Sequence, residues 1–248
     1  MQIGWPGEIV IVRHAESAGN VARERALLAG AAVIDLEHGR DADVPLSQLG
    51  ERQAAALGRW AARNMERVDA VVSSPYVRAR ETAGLALAAS GWDDVPVVVD
   101  ERLREKEFGV LDRLTRRGIV ERYPDQAELR RVLGKFYYRP PGGESWTDVI
   151  LRVRSFVESM VREHAGARIA IVTHQVIVLC LRYVLERMTE AQLLAVDGSS
   201  DVANCGVTIY RSAGDPPYPV LEAYNLVAPM EEAGEPVTTT PDVPLAAG

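Results

Sequence analysis

Short apolar runs of strand length recur along the chain, separated by longer stretches with helical spacing. The runs are IVIV (9–12), AVV (70–72), VPVVV (95–99), IAIVT (169–173) and VTIY (207–210). Between the first two, LSQLGERQAAALGRWAARNM sets Leu46, Leu49, Gln53, Leu57 and Trp60 on one approximate helical face, with Ser47 as N-cap. YVRARETAGLALAAS, after Pro75, predicts a second helix ending near Gly91. TDVILRVRSFVESMVREH predicts a third, with an apolar stripe of Val149, Val153, Phe156, Val157 and Met160. VIVLCLRYVLERM predicts a fourth that is apolar enough to be largely buried. Continuous apolar strands alternating with helices imply an α/β fold, a three-layer α/β/α sandwich around a mostly parallel sheet.

Two segments fit that alternation poorly. Residues 23–44 form a polar, Gly- and Ala-rich excursion, and residues 101–146 are rich in charge and contain the loop FYYRPPGGES. Long insertions of this kind cap a site or lie on the surface, and 101–146 is expected to act as a lid. From Pro229 the composition turns Pro-, Thr- and Glu-rich. The expected organisation is one domain over residues 1–228 and a tail over 229–248.

The polar residues at the strand ends suggest the chemistry. In open α/β sheets, ligands bind beyond the carboxyl ends of the strands. There, run 9–12 meets Arg13 and His14, run 70–72 meets Ser73, Ser74 and then Arg78, and run 169–172 meets Thr173 and His174. Of the four histidines, His38 and His164 lie in polar surroundings and read as surface residues. A single histidine at a strand end is more often structural than catalytic; a second in an equivalent place, with arginines near both, reverses those odds. Arg78 and Arg80 are two apart on one helix and do not share a face, so one of them enters the pocket. Arg78 is nearer the helix start, hence nearer the sheet edge.

Two imidazoles and two arginines suit a phosphate, which carries about −1.5 to −2 charge near neutral pH. Arginine grips it with a planar fork of donors. Nearby cations disfavour a charged imidazole, and the neutral form is the one able to attack phosphorus. The missing part is an acid for the leaving oxygen. ERLREKEFG offers Glu101, Glu105 and Glu107, which share a face if the segment is extended, so periodicity does not choose among them.

Composition narrows the field further. With 47% hydrophobic and 25% charged residues in 248, the chain is ordinary for a globular protein. A net charge of −7 argues against nucleic-acid binding, which needs a basic footprint, while leaving room for a local basic pocket. Cys180 and Cys205 make neither a disulfide framework nor a metal-ligand spacing, and no Asp/His cluster or Gly-rich nucleotide loop appears. MQIGWPGE lacks the blocks of a signal peptide, and Thr173, His174, Gln175 and Arg182 interrupt the longest apolar region. A cytoplasmic protein with no membrane segment is expected.

VRHAESAGN resembles the Arg-His-Gly-Glu signature, with its following Asn, of the histidine phosphatase superfamily, the family of phosphoglycerate mutases and many phosphatases. DVPLSQLGERQA, SSPYVRARETA, LREKEFG and IVTHQ are similar to its later blocks, in the same order. The resemblance implies a phosphoglycerate mutase-like fold, with His14 as a nucleophile that becomes phosphorylated and Glu105 as proton donor. It implies that Arg13, Arg78, His174 and Asn20 surround the phosphoryl group, and that no metal or organic cofactor takes part. FYYRPPGGESWTDV is similar to a subset of family phosphatases, which makes Arg139 and Glu144 candidates for the pocket mouth or for lid packing.

Two departures bear on the substrate. Ala15 replaces the usual Gly, and the substrate-binding segments of mutases are not recognisable in residues 21–41 or 114–138. The expected function is therefore metal-independent hydrolysis of phosphomonoesters, with a small phosphorylated metabolite as partner and room for a homo-oligomer. A mutase-type isomerase ranks second. A non-catalytic phosphate-ligand or phosphoprotein-binding module ranks third, because a binder has no need to keep the nucleophile and the acid.

Overall fold

The computed structural model describes residues 4–37, 39–214 and 218–240. Its elements in chain order are β1 (Glu8–Arg13), α1 (Ala18–Leu28), α2 (Gln48–Asn64), β2 (Ala70–Ser73), α3 (Val77–Ser90) and β3 (Val97–Val99). There follow α4 (Arg116–Arg122), α5 (Pro124–Tyr137), α6 (Trp146–Glu163), β4 (Arg168–Thr173), α7 (Gln175–Leu185), α8 (Glu190–Ser199), β5 (Val207–Ala213), β6 (Tyr218–Leu226) and α9 (Ala228–Ala233). The strands form one sheet in the order β3-β2-β4-β1-β5-β6. The first four are mutually parallel, and β5 and β6 add an antiparallel edge.

The side-chain period of two in a strand sorts the core into layers. From β1 and β4, Ile9, Ile11, Ile169 and Ile171 face one side, where they pack with the stripe of α6 and with α7. Val10 and Val12 face the other side, against Ala54 and Leu57 of α2. Val71 and Val172 meet Ala79, Ala83 and Leu87 of α3 on that same side. Burial on both faces explains why these strands read as unbroken apolar runs.

Helices α2 and α3 approach closely because their contact is made of small residues. A Cβ on Gly58 would lie 2.1 Å from the Ala86 carbonyl oxygen, so any larger residue would force the pair apart. Gly50 plays the same part nearer the site, since a Cβ there would lie 1.9 Å from the Glu16 carbonyl oxygen. The start of α2 is thereby seated on the loop after β1.

Two expectations about local structure need amending. Residues 23–44 are not all loop, because α1 runs through Leu28 from a capping box in which Ser17 and Asn20 each bond the other's backbone. The region from Pro229 includes α9, with Met230 fully buried and Trp60 Nε1 of α2 donating to Glu232 at 3.1 Å. His164 is half-buried at the end of α6, and His38 lies outside the described residues.

Candidate active site

Parallel register puts the three polar strand ends side by side. Arg13 of β1 pairs with Thr173 of β4, and Ser73 of β2 pairs with Val172. The strand order is β2-β4-β1, so His174 emerges between Ser74 and His14. Backbone bonds extend the ladder one step further: His14 N donates to Thr173 O at 2.8 Å and Ser74 N to Val172 O at 3.0 Å. The two imidazoles stand edge to face with ring centroids 5.1 Å apart.

The contacts of His14 fix which nitrogen carries its proton. Nδ1 lies 2.7 Å from the Ala15 carbonyl oxygen, which can only accept, so Nδ1 is the donor. Nε2 is then left with a lone pair, and Arg78 Nε donates to it at 3.3 Å. The Asn204 side chain holds the His14 carbonyl at 2.9 Å, and Thr82 accepts from Ala15 N at 3.0 Å. The Ala15 methyl belongs to the apolar cluster of Val12, Leu46 and Ala54, so the departure from Gly fills core space. Glu16 supports the turn, as its carboxylate accepts from the Ser47 hydroxyl at 2.6 Å.

Both arginines of the site are almost fully buried. Arg78 donates to the Asp41 carboxylate at 2.9 Å and to its carbonyl at 2.7 Å, whereas Arg80 is exposed. Arg13 donates to Val202 O at 2.5 Å and to Thr240 O at 2.6 Å. Asn20 Nδ2 donates to that same Thr240 carbonyl at 3.0 Å. His174 Nε2 is 2.8 Å from Ser74 Oγ, and Tyr76 packs edge-on against the His174 ring at 5.0 Å.

The structure separates the three glutamates that periodicity could not. A 3-10 turn over Glu101–Leu103 breaks the extended path; Glu101 and Glu107 are exposed while Glu105 is buried. Thr173 Oγ1 donates to Leu103 O at 2.9 Å, which ties this segment to the end of β4. Glu105 Oε1 accepts from Lys106 N at 2.7 Å. Glu144 clamps the segment from the other side, accepting from Arg104 at 2.8 Å, from Arg152 at 2.9 Å and from Glu107 N at 3.0 Å. Burial alone would raise the Glu144 carboxyl, yet these donors hold it below the usual carboxylate range.

Arg139 is not brought into this group. It forms a bidentate pair with Asp148 in the first turn of α6, and its side chain is mostly exposed. Arg139 thus pairs with α6, while Glu144 pairs with the 104–107 segment.

Several contributors are not apparent from linear sequence. Asp41 sits in the polar excursion and Thr240 in the Thr-rich tail, where neither has a motif around it. The strap from Glu232 to Thr240 runs along α2: Gln53 Nε2 donates to Pro236 O at 2.9 Å and to Thr238 Oγ1 at 3.1 Å, and Arg52 pairs with Glu235 at 3.1 Å. Thr238 is pinned by Asn204 through both its hydroxyl, at 3.0 Å, and its carbonyl, at 2.9 Å. Among the described residues no group of three His, Cys, Asp or Glu is arranged to hold a metal, and no helix is long and apolar enough to cross a membrane.

A buried arginine donating to an imidazole lone pair at a sheet edge is an arrangement suited to a phosphoryl group, and comparison with known proteins narrows the class. The model of the histidine phosphatase superfamily (branch 1) matches residues 9–225. The chain belongs to that superfamily. Among curated relatives, it is 32% identical over 187 residues to a 2,3-bisphosphoglycerate-dependent phosphoglycerate mutase of Methylobacterium radiotolerans, covering 75% of this chain and 82% of that one. Among solved structures, Bacillus stearothermophilus YhfR aligns with a TM-score of 0.68 at 26% identity, covering 87% of this chain and 96% of that one. A mycobacterial glucosyl-3-phosphoglycerate phosphatase in complex with inorganic phosphate shares the fold, with a TM-score of 0.67 at 24% identity over 90% of this chain and 98% of that one.

Proposed function

We propose that the chain hydrolyses phosphomonoesters of small phosphorylated metabolites through a phosphohistidine on His14. The observation that carries this reading is the tautomer: Nδ1 is committed to the Ala15 carbonyl, so the Nε2 lone pair is presented beside Arg78. In the first step Nε2 attacks phosphorus, the P–O bond to the alcohol breaks, and Glu105 donates its proton to the departing oxygen. In the second, Glu105 takes a proton from water as the water oxygen attacks phosphorus and the P–N bond breaks. Dividing one difficult displacement into two is the advantage of a covalent intermediate. Arg13, Arg78, His174 and Asn20 surround the transferred group, where preorganised donors stabilise its charge. For the phosphoryl oxygens to reach Arg13 and Asn20, the Thr240 carbonyl has to give up the donors it now occupies. Two free, buried cysteines, Cys180 and Cys205, are compatible with work in a reducing cytoplasm.

Incubation with a labelled phosphomonoester is expected to give an acid-labile, base-stable phosphoprotein that His14→Ala abolishes. Label retained in that variant would overturn the assignment. The 32% identity to a mutase keeps a phosphoglycerate isomerase as the second reading, since the same phosphohistidine serves both. Measuring 3-phosphoglycerate isomerisation beside phosphate release distinguishes them.

A further inference from the structure

Ser74 takes no part in the steps above, although its hydroxyl touches the second imidazole of the site. Ser74 and His174 are both fully buried, and Ser74 Oγ lies 2.8 Å from His174 Nε2. The backbone holds the serine in place: its N–H donates to Val172 O at 3.0 Å, and its carbonyl accepts from Ser73 Oγ at 3.0 Å. Among the described residues, Ser74 Oγ has one further hydrogen bond, accepted from Tyr76 N at 3.3 Å.

Those two contacts decide the direction of the bond to the imidazole. A backbone N–H can only donate, so Tyr76 N uses an acceptor position of the hydroxyl. Among the described residues, the hydroxyl proton then has a single acceptor in reach, the lone pair of His174 Nε2. The opposite direction, from Nε2–H to Ser74 Oγ, would leave that proton buried without an acceptor, which is unfavourable. With Nε2 accepting, the proton of the neutral ring sits on Nδ1. An imidazolium would require the hydroxyl to turn away, so the same bond favours the neutral ring.

His14 and His174 therefore share a tautomer but offer opposite chemistry. In His14 the Ala15 carbonyl engages Nδ1–H, which makes the Nε2 lone pair the reactive end. In His174 the Ser74 hydroxyl engages Nε2, which makes Nδ1–H the donor end. A lone pair suits attack on phosphorus, and a donor suits a phosphoryl oxygen, which only accepts. The groups packed around the His174 ring come from three sides. His14 approaches from the end of β1 and Tyr76 from the start of α3, with ring centroids at 5.1 and 5.0 Å. Tyr76 donates to Glu107 and lies under the Arg78 guanidinium, and the segment carrying Glu105 is tied to Thr173 through Leu103 O. We propose that Ser74 is a positioning residue that acts through His174, fixing the tautomer whose Nδ1–H meets the transferred phosphoryl group. This inference rests on the phosphatase reading of the His14 site.

Nitrogen NMR of the protein labelled at its four histidines reads the tautomer directly, with His174 assigned by the signals lost in His174→Gln. In the wild type, His174 is expected to show a protonated Nδ1 and an unprotonated Nε2. Ser74→Ala, which removes one oxygen, should move the proton to Nε2 in a large share of molecules, and Ser74→Thr should restore the original pattern. Ser73→Ala removes a neighbouring hydroxyl that bonds only a backbone carbonyl, and should leave the tautomer unchanged. Protonated Nε2 in the wild type, an unaltered pattern in Ser74→Ala, or the same change in Ser73→Ala would overturn the assignment. In steady-state hydrolysis of a phosphomonoester, Ser74→Ala should lower kcat by about tenfold or more with KM changed less than about threefold, as for an interaction made in the transition state. A shifted tautomer with undiminished kcat would remove Ser74 from the reaction. The NMR arm does not depend on turnover, so failure of the hydrolase reading leaves it intact.

Discussion

The floor of the site and its cover are built in opposite ways. The floor consists of the ends of three adjacent parallel strands, with Arg13, His14, Ser74 and His174 fully buried and held by the sheet ladder. The cover consists of segments 104–107, 41–43 and 235–240, held mainly by side-chain bonds from Glu144, Arg78 and Gln53. The floor inherits its geometry from the hydrophobic core, so its polar groups are organised before any ligand arrives. The cover is held by contacts that can be exchanged one at a time. Rigid positioning and exchangeable access are thus assigned to different parts of the chain.

Substitutions can sharpen that contrast. The largest effect in this set is expected on the floor, where Arg78→Ala should lower kcat/KM by roughly 2–4 kcal/mol of transition-state stabilisation, as for loss of a preorganised donor. Near-normal turnover in steady-state assays would mean that another group supports the charge. Glu105→Gln should impair esters with poor leaving groups far more than activated aryl phosphates. Equal losses for both classes would remove Glu105 from proton transfer.

On the cover, Glu144→Gln should weaken the clamp on the acid segment by roughly 1.5–3 kcal/mol, the range for hydrogen bonds to a charged group. Arg139→Ala, which breaks an exposed pair, should cost under about 1 kcal/mol. Thermal unfolding and kcat measured on both variants test that ordering. A small effect is also expected at the strap. Thr238→Val removes the hydroxyl that Asn204 and Gln53 hold, worth about 1 kcal/mol. Loosening the strap should then lower KM by about fivefold with kcat little changed; a raised KM would show that the strap helps to hold substrate.

Legibility in the sequence followed the same division. The five apolar runs became five of the six strands; burial leaves an unbroken hydrophobic signal in β1, β2 and β4, whereas β3, with Val97, Val98 and Val99 exposed, reads as a strand through its run of β-branched residues. Strand β6 was missed, since YPVLEAYNL is an edge strand with mostly half-exposed side chains and carries a weak pattern. Helix α1 was missed because it buries only Asn20 and Ala26, although the Ser17–Asn20 capping box offered a local signal. His14, His174, Arg13 and Arg78 stood out from their places at strand ends and at a helix start. Periodicity did not separate Glu105 from Glu101 and Glu107; the resemblance of LREKEFG chose it, and the structure adds that Glu105 is buried after the turn over Glu101–Leu103.

What the sequence determined by itself was the alternation of strand and helix and the delivery of polar residues to one sheet edge. Both follow from side-chain periodicity, which is local and survives without knowledge of neighbours. Only the tertiary structure decided that Asp41 engages Arg78, that Glu144 rather than Arg139 grips the acid segment, and that Thr240 reaches Arg13 across 227 positions. Those contacts depend on how distant segments meet once the layers have packed, and no local pattern encodes that meeting.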